Sequence, residues 1–264
     1  MNILLINSKK DDASNNLTKS LENIYNFKKI KENLYILDEI NNLNQISLIK
    51  IDKLHIYLEK EYLEKITKDY DIVIFLSKHS TLSETKPKAM TVHAIGNFGK
   101  AELGGEDKIL VQTDPILIRL LLYNLKKNKI KEIKPYEVKQ EATHHGPYLE
   151  KTALFYEIGS QKSDWENKDV GEYMAKILIQ TIRNYNKEEI KKKNNWIEAV
   201  GISKSHYCTQ FNKYTFKKDF KYCIGHVVPE YALKEYTNNN LEEEILKKSN
   251  TKIIINEKNI SNFT

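Results

Sequence analysis

The residues Asp71-Ile-Val-Ile-Phe-Leu76 give the clearest indication of the fold. A continuous apolar run of this length is typical of a strand buried on both faces, as in sheets with helices packed against them. Met1-Asn-Ile-Leu-Leu-Ile6 has the same character and predicts a first strand. Residues 13–26 place apolar side chains on one helical face. This alternation favours an α/β fold with a mixed central sheet and flanking helices.

The rest of the chain continues the alternation. Helices are predicted at 59–68 and 116–128, and the capping box Ser163-Asp-Trp-Glu166 predicts the start of a helix that runs to about Tyr185. The absence of repeats and long linkers predicts a single α/β domain over 1–264, with 1–70 woven into the core or beside it and 241–264 as a peripheral C-terminal segment. Further strands are predicted at 34–37, 46–51, 53–58, 90–95, 108–113, 136–143, 153–158, 196–201 and 222–228.

Composition limits the class of protein. The apolar stretches are too short to cross a bilayer, and the first residues lack the long apolar segment of a signal peptide. Two cysteines, Cys208 and Cys223, cannot form a disulfide scaffold. We therefore expect a cytoplasmic protein without a membrane partner, and we expect it to be a monomer.

The charge of the chain has two interpretations. Lys and Arg total 42 and Asp and Glu 36, which gives +6, and Arg119 and Arg183 are the only arginines. Positive charge attracts nucleic acid regardless of its sequence. However, abundant Lys, Asn, Ile and Tyr also follow from AT-rich coding, and phosphate-binding forks prefer Arg. The net charge alone therefore does not identify a partner.

The histidines are more informative. A single histidine is more often a hydrogen-bonded structural residue than a ligand, but six imidazoles near strand ends favour a site, because open α/β sheets bind ligands at the carboxyl ends of strands. His55 has the pattern of an ordinary strand residue. The other six lie in short polar or glycine-containing segments, at His79, His93, His144, His145, His206 and His226.

Two predicted strand-to-loop turns contain residues that could take part in catalysis or metal binding. In Glu141-Ala-Thr-His-His-Gly-Pro147, the Gly-Pro pair breaks the strand, so neighbouring imidazoles can converge to take a proton or hold a metal, or they can bond backbone carbonyls. In Glu157-Ile-Gly-Ser160, turn N–H groups could face a developing oxyanion. Glu157 could orient a histidine or bind an amino group, or it could be a solvated strand end.

Five motifs in this order carry a family resemblance: Ser-x-His-Ser at 77–80, Thr-x-His-x-x-Gly-Asn-Phe-Gly at 91–99, Glu-Ala-Thr-His-His-Gly-Pro at 141–147, Glu-Ile-Gly-Ser-x-x-x-x-Trp at 157–165 and Gly-His-x-x-Pro at 225–229. Together they resemble the archaeal and plant-type D-aminoacyl-tRNA deacylase family. The resemblance implies hydrolysis of the ester between a D-amino acid and tRNA, a zinc requirement, and a core similar to those of peptidyl-tRNA hydrolases or nucleoside phosphorylases. The segment 201–209 departs from the pattern, because Ser203-Lys204-Ser205 stands where glycines are expected.

The resemblance implies roles in metal binding and catalysis for the histidines and for two glutamates. Zinc usually has three protein ligands and a water at a catalytic site. A separate site from His206-x-Cys208 and Cys223-x-x-His226 is an alternative, and spacing alone does not choose among the six imidazoles. We expect metal binding from His79, His93, His206 and His226. We expect catalysis from His144, His145, Glu141 and Glu157.

Substrate contacts are expected in two places. The turn N–H groups at Gly96, Asn97, Gly159 and Ser160 are candidates to stabilise the oxyanion. Residues 206–222 interleave aromatic side chains with lysines, so Tyr207, Lys217 and Lys218 are candidates to bind the acceptor end of tRNA. The alternative is that these aromatic side chains pack inward.

The expected function is hydrolysis of D-aminoacyl-tRNA, which releases free tRNA and the D-amino acid. Water activated by zinc or by His144 and His145 would attack the ester carbonyl. One rival is another zinc-dependent hydrolase or a nucleoside phosphorylase-like enzyme. The other is a non-catalytic RNA-binding protein, which would have no need for clustered imidazoles.

Overall fold

A computed structural model describes residues 1–38, 43–81 and 84–263. It is a mixed α/β structure, as predicted. The strands are β1 Asn2–Ser8, β2 Phe27–Lys31, β3 Leu34–Leu37, β4 Gln45–Ile51, β5 Ile72–Lys78, β6 Ala89–His93, β7 Glu137–Gln140, β8 Thr152–Gly159, β9 Ile197–Ser203, β10 Tyr222–Pro229 and β11 Ile254–Asn256. The α-helices are α1 Asp12–Ile24, α2 Lys60–Thr67, α3 Pro115–Lys127, α4 Lys162–Trp165, α5 Lys168–Ile182, α6 Lys187–Asn194, α7 Thr209–Tyr214, α8 Leu233–Asn238 and α9 Glu242–Lys248.

The main sheet has eight strands in the order β2-β3-β4-β1-β5-β8-β6-β7. The strands β4, β1, β5 and β8 are parallel to one another, whereas β6 is antiparallel to β8 and parallel to β7. The apolar run at 71–76 therefore forms β5, between β1 and β8, and its side chains from Ile72 to Leu76 are buried. The prediction of an interior strand is confirmed.

The two faces of this sheet are covered differently. Leu154, Tyr156 and Ile158 of β8 pack with apolar side chains of α1, α3 and α5. The alternate residues Ala153 and Phe155 pack in a smaller cluster on the other face, which α2 and several loops cover. Because side chains alternate along a strand, the second face is the one on which Glu157 also lies.

A smaller parallel sheet, in the order β10-β9-β11, lies beyond the main one. Arg119 of α3 joins the two parts, because its guanidinium donates hydrogen bonds to the carbonyl oxygens of Phe220 and Tyr222. Backbone hydrogen bonds from Ala142 to His206 and from Thr143 to Val227 tie the segment after β7 to the smaller sheet. That segment contains the predicted histidine doublet.

Three predicted elements are wrong. Residues 53–58 are not a strand but contain a 3-10 helix, His55–Tyr57, and residues 108–113 contribute one isolated bridge at Leu110. The capping box at 163–166 does not start the long helix. Instead, α4 is a separate short turn, and α5 begins after Asn167, whose side chain accepts a hydrogen bond from the Val170 N–H. The N-cap of the long helix is therefore Asn167, and not a residue of the predicted capping box.

No helix within the described parts of the chain is long and apolar enough to span a membrane.

Candidate functional site

The site lies on the second face of the main sheet, around Glu157. Thr91 of β6 and Ser77 of β5 pair with Glu157 across the two neighbouring ladders, so all three side chains share this face. His93, at the end of β6, pairs with Phe155 and stacks on its ring at 5.2 Å between centroids. Because β6 runs antiparallel to β8, His93 reaches this face from the opposite strand direction.

The predicted corner after β7 brings the histidine doublet to the same face. His145 adopts a left-handed backbone conformation with φ of 45°, and it precedes Gly146 and Pro147. This change of direction lets neighbouring imidazoles converge, as predicted from the sequence. The rings of His93 and His144 lie 4.1 Å apart between centroids, and those of His144 and His145 lie 4.3 Å apart.

His93, His144 and His145 form a set of potential metal ligands, with ligand atoms within 4.8 Å of one another. The Nδ1 atom of each ring lies 3.0, 2.8 and 2.7 Å, respectively, from a backbone carbonyl oxygen of a nearby residue. A carbonyl oxygen only accepts, so each Nδ1 carries the proton and each Nε2 presents a lone pair. In proteins, a hydrogen bond from the other ring nitrogen fixes the tautomer and the orientation of a metal-binding histidine.

The three rings are neutral at pH 7. Burial, together with the charges of neighbouring histidines, lowers the pKa of His93 to about 4 and that of His145 to about 3. Burial and the charges of His93 and His145 also hold the pKa of His144 well below its usual value. The Nε2 of His93 is buried and has no hydrogen-bond partner among the described residues. Neutral imidazoles with unshared nitrogens are suited to binding a metal ion.

Glu141 lies beside this set, between two more histidines. Its Oε1 accepts a hydrogen bond from Nε2 of His206 at 3.1 Å, and its Oε2 lies at ion-pair distance, 3.2 Å, from Nδ1 of His79. Burial raises the pKa of Glu141, but the contacts with His206 and His79 outweigh it and hold that pKa well below the usual value. Burial lowers the pKa of His79, and Glu141 followed by Glu157 raises it above the usual value. The pair is therefore an ionised carboxylate beside an imidazolium.

Glu157 has the opposite protonation state. Its Oε2 accepts a hydrogen bond from the Thr91 hydroxyl at 3.1 Å and lies 3.6 Å from Nε2 of His93. Burial, followed by the charge of Glu141, raises the pKa of Glu157 to about 8. Two buried carboxyl groups in one site thus differ in charge near pH 7, which is the arrangement by which enzymes separate acid and base roles.

A cavity of about 280 Å³ is lined by five of the predicted site residues, His79, His144, His145, Glu157 and His206. Its size is near the lower limit of about 300 Å³ for ligand pockets, so it fits a small group. Asp11, His55 and Leu103 line it together with the predicted residues, and the Tyr231 hydroxyl contacts Nδ1 of His206 at 3.0 Å. None of these four residues is among the site residues predicted from the sequence. The position of Asp11 after β1, at the carboxyl edge of the sheet, was a usable signal.

A family model described as D-aminoacyl-tRNA deacylase matches residues 66–263. The chain belongs to this family. The D-aminoacyl-tRNA deacylase of Picrophilus torridus is 34% identical over 252 residues, which cover 96% of this chain and 88% of that protein. That of Pyrococcus abyssi is 31% identical over 87% of this chain and 80% of its own length. The crystal structure of a conserved protein of unknown function matches 99% of this chain and 90% of its own, at a TM-score of 0.82 and 25% identity. The predicted resemblance is confirmed.

Not every residue expected from the family pattern lies in the site as predicted. His226, an expected metal ligand, is fully buried, with Nδ1 bonded to the Thr143 hydroxyl at 2.9 Å and Nε2 to the Val111 carbonyl at 2.8 Å. Because Nε2 must donate to the carbonyl and Nδ1 accepts from the hydroxyl, neither nitrogen is free for a metal. The assignment of His226 as a ligand is wrong, and the residue ties β10 to the segment before the histidine doublet.

The predicted oxyanion donors at Gly96 and Asn97 are already used. The Gly96 N–H donates to the carbonyl of His145, and the Asn97 N–H donates to the carbonyl of Ile109, both at 3.0 Å. A Cβ on Gly96 would lie 2.7 Å from the Leu110 side chain. Both N–H groups therefore bind backbone carbonyl oxygens, that of Gly96 on His145 itself. The prediction that they face the substrate is wrong.

Gly159 and Ser160 also have structural partners. A Cβ on Gly159 would lie 2.5 Å from the ring of His79, so glycine allows this imidazole to lie against β8. The Ser160 N–H donates to Asp164, and its hydroxyl donates to the Pro87 carbonyl at 2.6 Å. The Ser160 N–H is therefore not free to stabilise an oxyanion.

The segment at 206–222 divides into two parts. Tyr207 is at the site, where its ring lies 5.4 Å from that of His206 and 5.9 Å from that of His79. Lys217 and Lys218 line a separate pocket without any histidine. Phe211 and Phe220 are fully buried, so the inward-packing alternative holds for them.

The two thiols are not part of a metal site. Cys208 packs in an apolar cluster of the smaller sheet, and Cys223 lies against Arg119. No potential ligand cluster found in residues 1–38, 43–81 and 84–263 includes either cysteine. His55 is buried against the edges of the stacked Phe75 and Phe155 rings beside the cavity, rather than on a strand.

Proposed function

We propose that this protein hydrolyses the ester bond of D-aminoacyl-tRNA and releases free tRNA and the D-amino acid. The observation that carries the proposal is the set of three neutral imidazoles that present Nε2 atoms beside an ionised Glu141 and a protonated Glu157. Membership of the deacylase family supports this choice of substrate. Acyl transfer to water needs a base, an acid and a group that polarises the carbonyl, and the site has candidates for each.

We further propose that His93, His144 and His145 hold a zinc ion through Nε2. The donor set fits, because all three rings are fixed in the required tautomer and His93 Nε2 is buried without another partner. When bound there, zinc supplies Lewis-acid polarisation of the ester carbonyl and lowers the pKa of water. Of the expected ligands, this keeps His93, and it moves His144 and His145 from the catalytic to the metal-binding group.

His206 is the proposed general base. Its Nε2 donates to Glu141, so the neutral ring presents the lone pair of Nδ1, which the hydroxyl of the exposed Tyr231 now occupies at 3.0 Å. A water that replaces this hydroxyl can give its proton to Nδ1, while Glu141 stabilises the resulting imidazolium. This carboxylate–imidazole arrangement is the one found in other acyl-transfer sites.

His79 and Glu157 are the proposed donors. The His79 imidazolium faces Glu141 through Nδ1, and its buried Nε2 has no hydrogen-bond partner among the described residues. Its Nε2–H can therefore donate to the carbonyl oxygen as charge develops there. Glu157 carries a proton at neutral pH and can give it to the ribose oxygen that leaves, and the proton that His206 takes from water then replaces it.

The rival functions predict other behaviour. A non-catalytic RNA-binding protein would not need the ionised and protonated carboxyl pair, and another hydrolase would act on blocked peptides or nucleosides instead. The cytoplasmic location and the monomeric state stay predictions.

The test is hydrolysis of D-tyrosyl-tRNA by the wild-type protein and by His144→Ala, with bound zinc measured in both. We expect wild type to bind zinc and release D-tyrosine, and His144→Ala to lose bound zinc and at least about 100-fold in rate. The control is His226→Gln, a buried histidine outside the ligand set, which should keep both properties. Hydrolysis at the wild-type rate by His144→Ala without zinc would contradict the proposed site.

A further inference from the structure

Two adjoining pockets beside the site form one basic groove. The first, of about 570 Å³, lies between β7 and α7, and the second, of about 890 Å³, lies between α3 and residues 216–221. Phe216 lines both pockets, and the consecutive residues Lys126 and Lys127 line the first and the second, respectively. We call the two pockets together the basic groove.

The basic groove concentrates the positive charge of the chain. Ten basic and two acidic side chains line it, which gives +8, whereas the whole chain carries +6. The rest of the protein is therefore slightly acidic. Compositional drift toward lysine would add charge everywhere, but here the lysines outside the groove are balanced by acidic residues. The uneven distribution favours a polyanionic partner at this surface.

The lysine side chains of the groove are also available to a ligand, whereas Arg119 is buried and donates to the carbonyl oxygens of Phe220 and Tyr222. Among the described residues, Lys139 is the only member of the groove with an acidic side chain at ion-pair distance, which is Glu137. Lys126 and Lys217 each lie 3.9 Å from the centre of an aromatic ring, those of Phe216 and Tyr214. These rings hold the ammonium groups at the surface without neutralising them.

The groove begins at the candidate site. Tyr207 lines its first pocket, and the same ring contacts His79 and His206. The Nζ atom of Lys139 lies over the Tyr207 ring, 5.3 Å from its centre. A chain that places its end among the histidines can therefore leave past Tyr207 and follow the lysines.

We propose that the basic groove binds the phosphodiester backbone of the tRNA whose terminal ester lies at the histidine cluster. The proposal rests on the proposed function and adds the path of the RNA. It also changes the predicted role of the aromatic segment: Phe211 and Phe220 are core residues, and lysine contacts with phosphates carry the binding instead of stacked bases.

The test uses two double variants of the full chain, Lys126→Gln/Lys213→Gln in the first pocket and Lys217→Gln/Lys218→Gln in the second. All four side chains are exposed, so both variants should fold. We expect each variant to bind labelled, deacylated tRNA roughly tenfold more weakly. The slope of log Kd against log salt concentration should fall by about 1.4, because each lost phosphate contact removes about 0.7.

The matched control is Lys29→Gln/Lys31→Gln on β2, at the opposite edge of the main sheet from β7. It removes the same charge from exposed positions, and it should leave Kd and the salt slope close to those of the wild type. Equal weakening by the control would mean that net charge, rather than the groove, binds tRNA, and it would overturn the proposal. So would wild-type Kd and slope in both groove variants.

Hydrolysis of a small ester, D-tyrosyl-adenosine, separates this proposal from the function on which it rests. We expect the groove variants to keep wild-type kcat/KM on the small ester and to lose roughly tenfold on D-tyrosyl-tRNA through KM. If the wild type hydrolyses neither ester, the proposed function is wrong, and the tRNA-binding comparison still decides whether the groove binds RNA. A loss of kcat on the small ester in both variants would overturn the assignment of the groove to RNA binding alone.

Discussion

Glu141 is the residue that connects the parts of the site. It lies between His79 and His206, and a potential ligand cluster joins it to His144. One buried carboxylate thus faces the proposed base, the proposed electrophile and the proposed metal ligands. Its charge also raises the pKa of Glu157, so ionisation of one acid keeps the other protonated. Such separated protonation states are a property of functional sites rather than of ordinary cores.

The buried histidines also affect stability, and His226 tests this without altering the ligand set. Burial lowers its pKa from 6.5 to about 4 in the folded protein. As the pH falls below 6.5, the unfolded chain binds a proton that the folded protein does not, so this contribution to stability is lost down to about pH 4. For His226→Gln, the decrease in unfolding free energy between about pH 7 and about pH 5 should be smaller by about 2 kcal/mol.

Urea unfolding of the metal-free protein at both pH values measures this difference. The side-chain amide of glutamine can still donate to the Val111 carbonyl, which limits other losses. The same pH dependence in wild type and variant would contradict the burial of a neutral imidazole.

At the scale of elements, the C-terminal segment supports the part of the chain that carries His206 and Tyr207. Glu257, in the 3-10 helix Glu257–Phe263, is buried, and its Oε1 accepts hydrogen bonds from the N–H groups of Gln210 and Phe211 in the first turn of α7. Its Oε2 accepts hydrogen bonds from the hydroxyl of Ser203 and the N–H of Lys204. The loop from β9 to α7 is therefore fixed at both ends by one carboxylate.

Replacing Glu257 by Gln should destabilise the protein by about 2–3 kcal/mol, because an amide nitrogen cannot accept the hydrogen bonds that Oε2 accepts. Urea unfolding measures the change, and the rate on D-tyrosyl-tRNA should also fall as His206 loses its fixed position. Glu230→Gln is the control, since its ion pair with Lys258 is exposed and contributes less than about 1 kcal/mol. Equal stability of the two variants would show that Glu257 does not fix this loop.

How far the sequence predicts an element depends on its environment. The interior strand β5 and the apolar helix α3 have continuous patterns, and both are confirmed. The run at 53–58 alternates in polarity as a strand does, but no strand among the described residues pairs with it, and His55 turns inward against Phe75 and Phe155. Pairing is set by tertiary contacts, which a local pattern does not contain.

At the scale of the whole molecule, the site is built from two sheets. His93 and Glu157 belong to the main sheet, whereas His206 follows β9 of the smaller one. The sequence indicated that His144 and His145 converge, because the Gly-Pro break is local. It did not show that the nitrogens of His226 and the N–H groups of Gly96 and Asn97 are used elsewhere, because their partners are distant in the chain or lie in irregular loops.

The positive charge of the chain can be interpreted only in the folded molecule. The lysines at 126–129, at 213–221 and at 193 come from different elements, and their grouping in the basic groove is a property of the fold. The sequence could not separate this grouping from a general excess of lysine. The placement of the groove beside Tyr207 links the charge to the candidate site.

The most direct test of the proposed function is the release of free tyrosine from D-tyrosyl-tRNA and from L-tyrosyl-tRNA by the purified, zinc-loaded wild-type protein. We expect rapid release of D-tyrosine, with tRNA that can be charged again, and an L-ester that decays no faster than without protein. An intact D-ester under conditions in which a control deacylase clears it would contradict the proposed function.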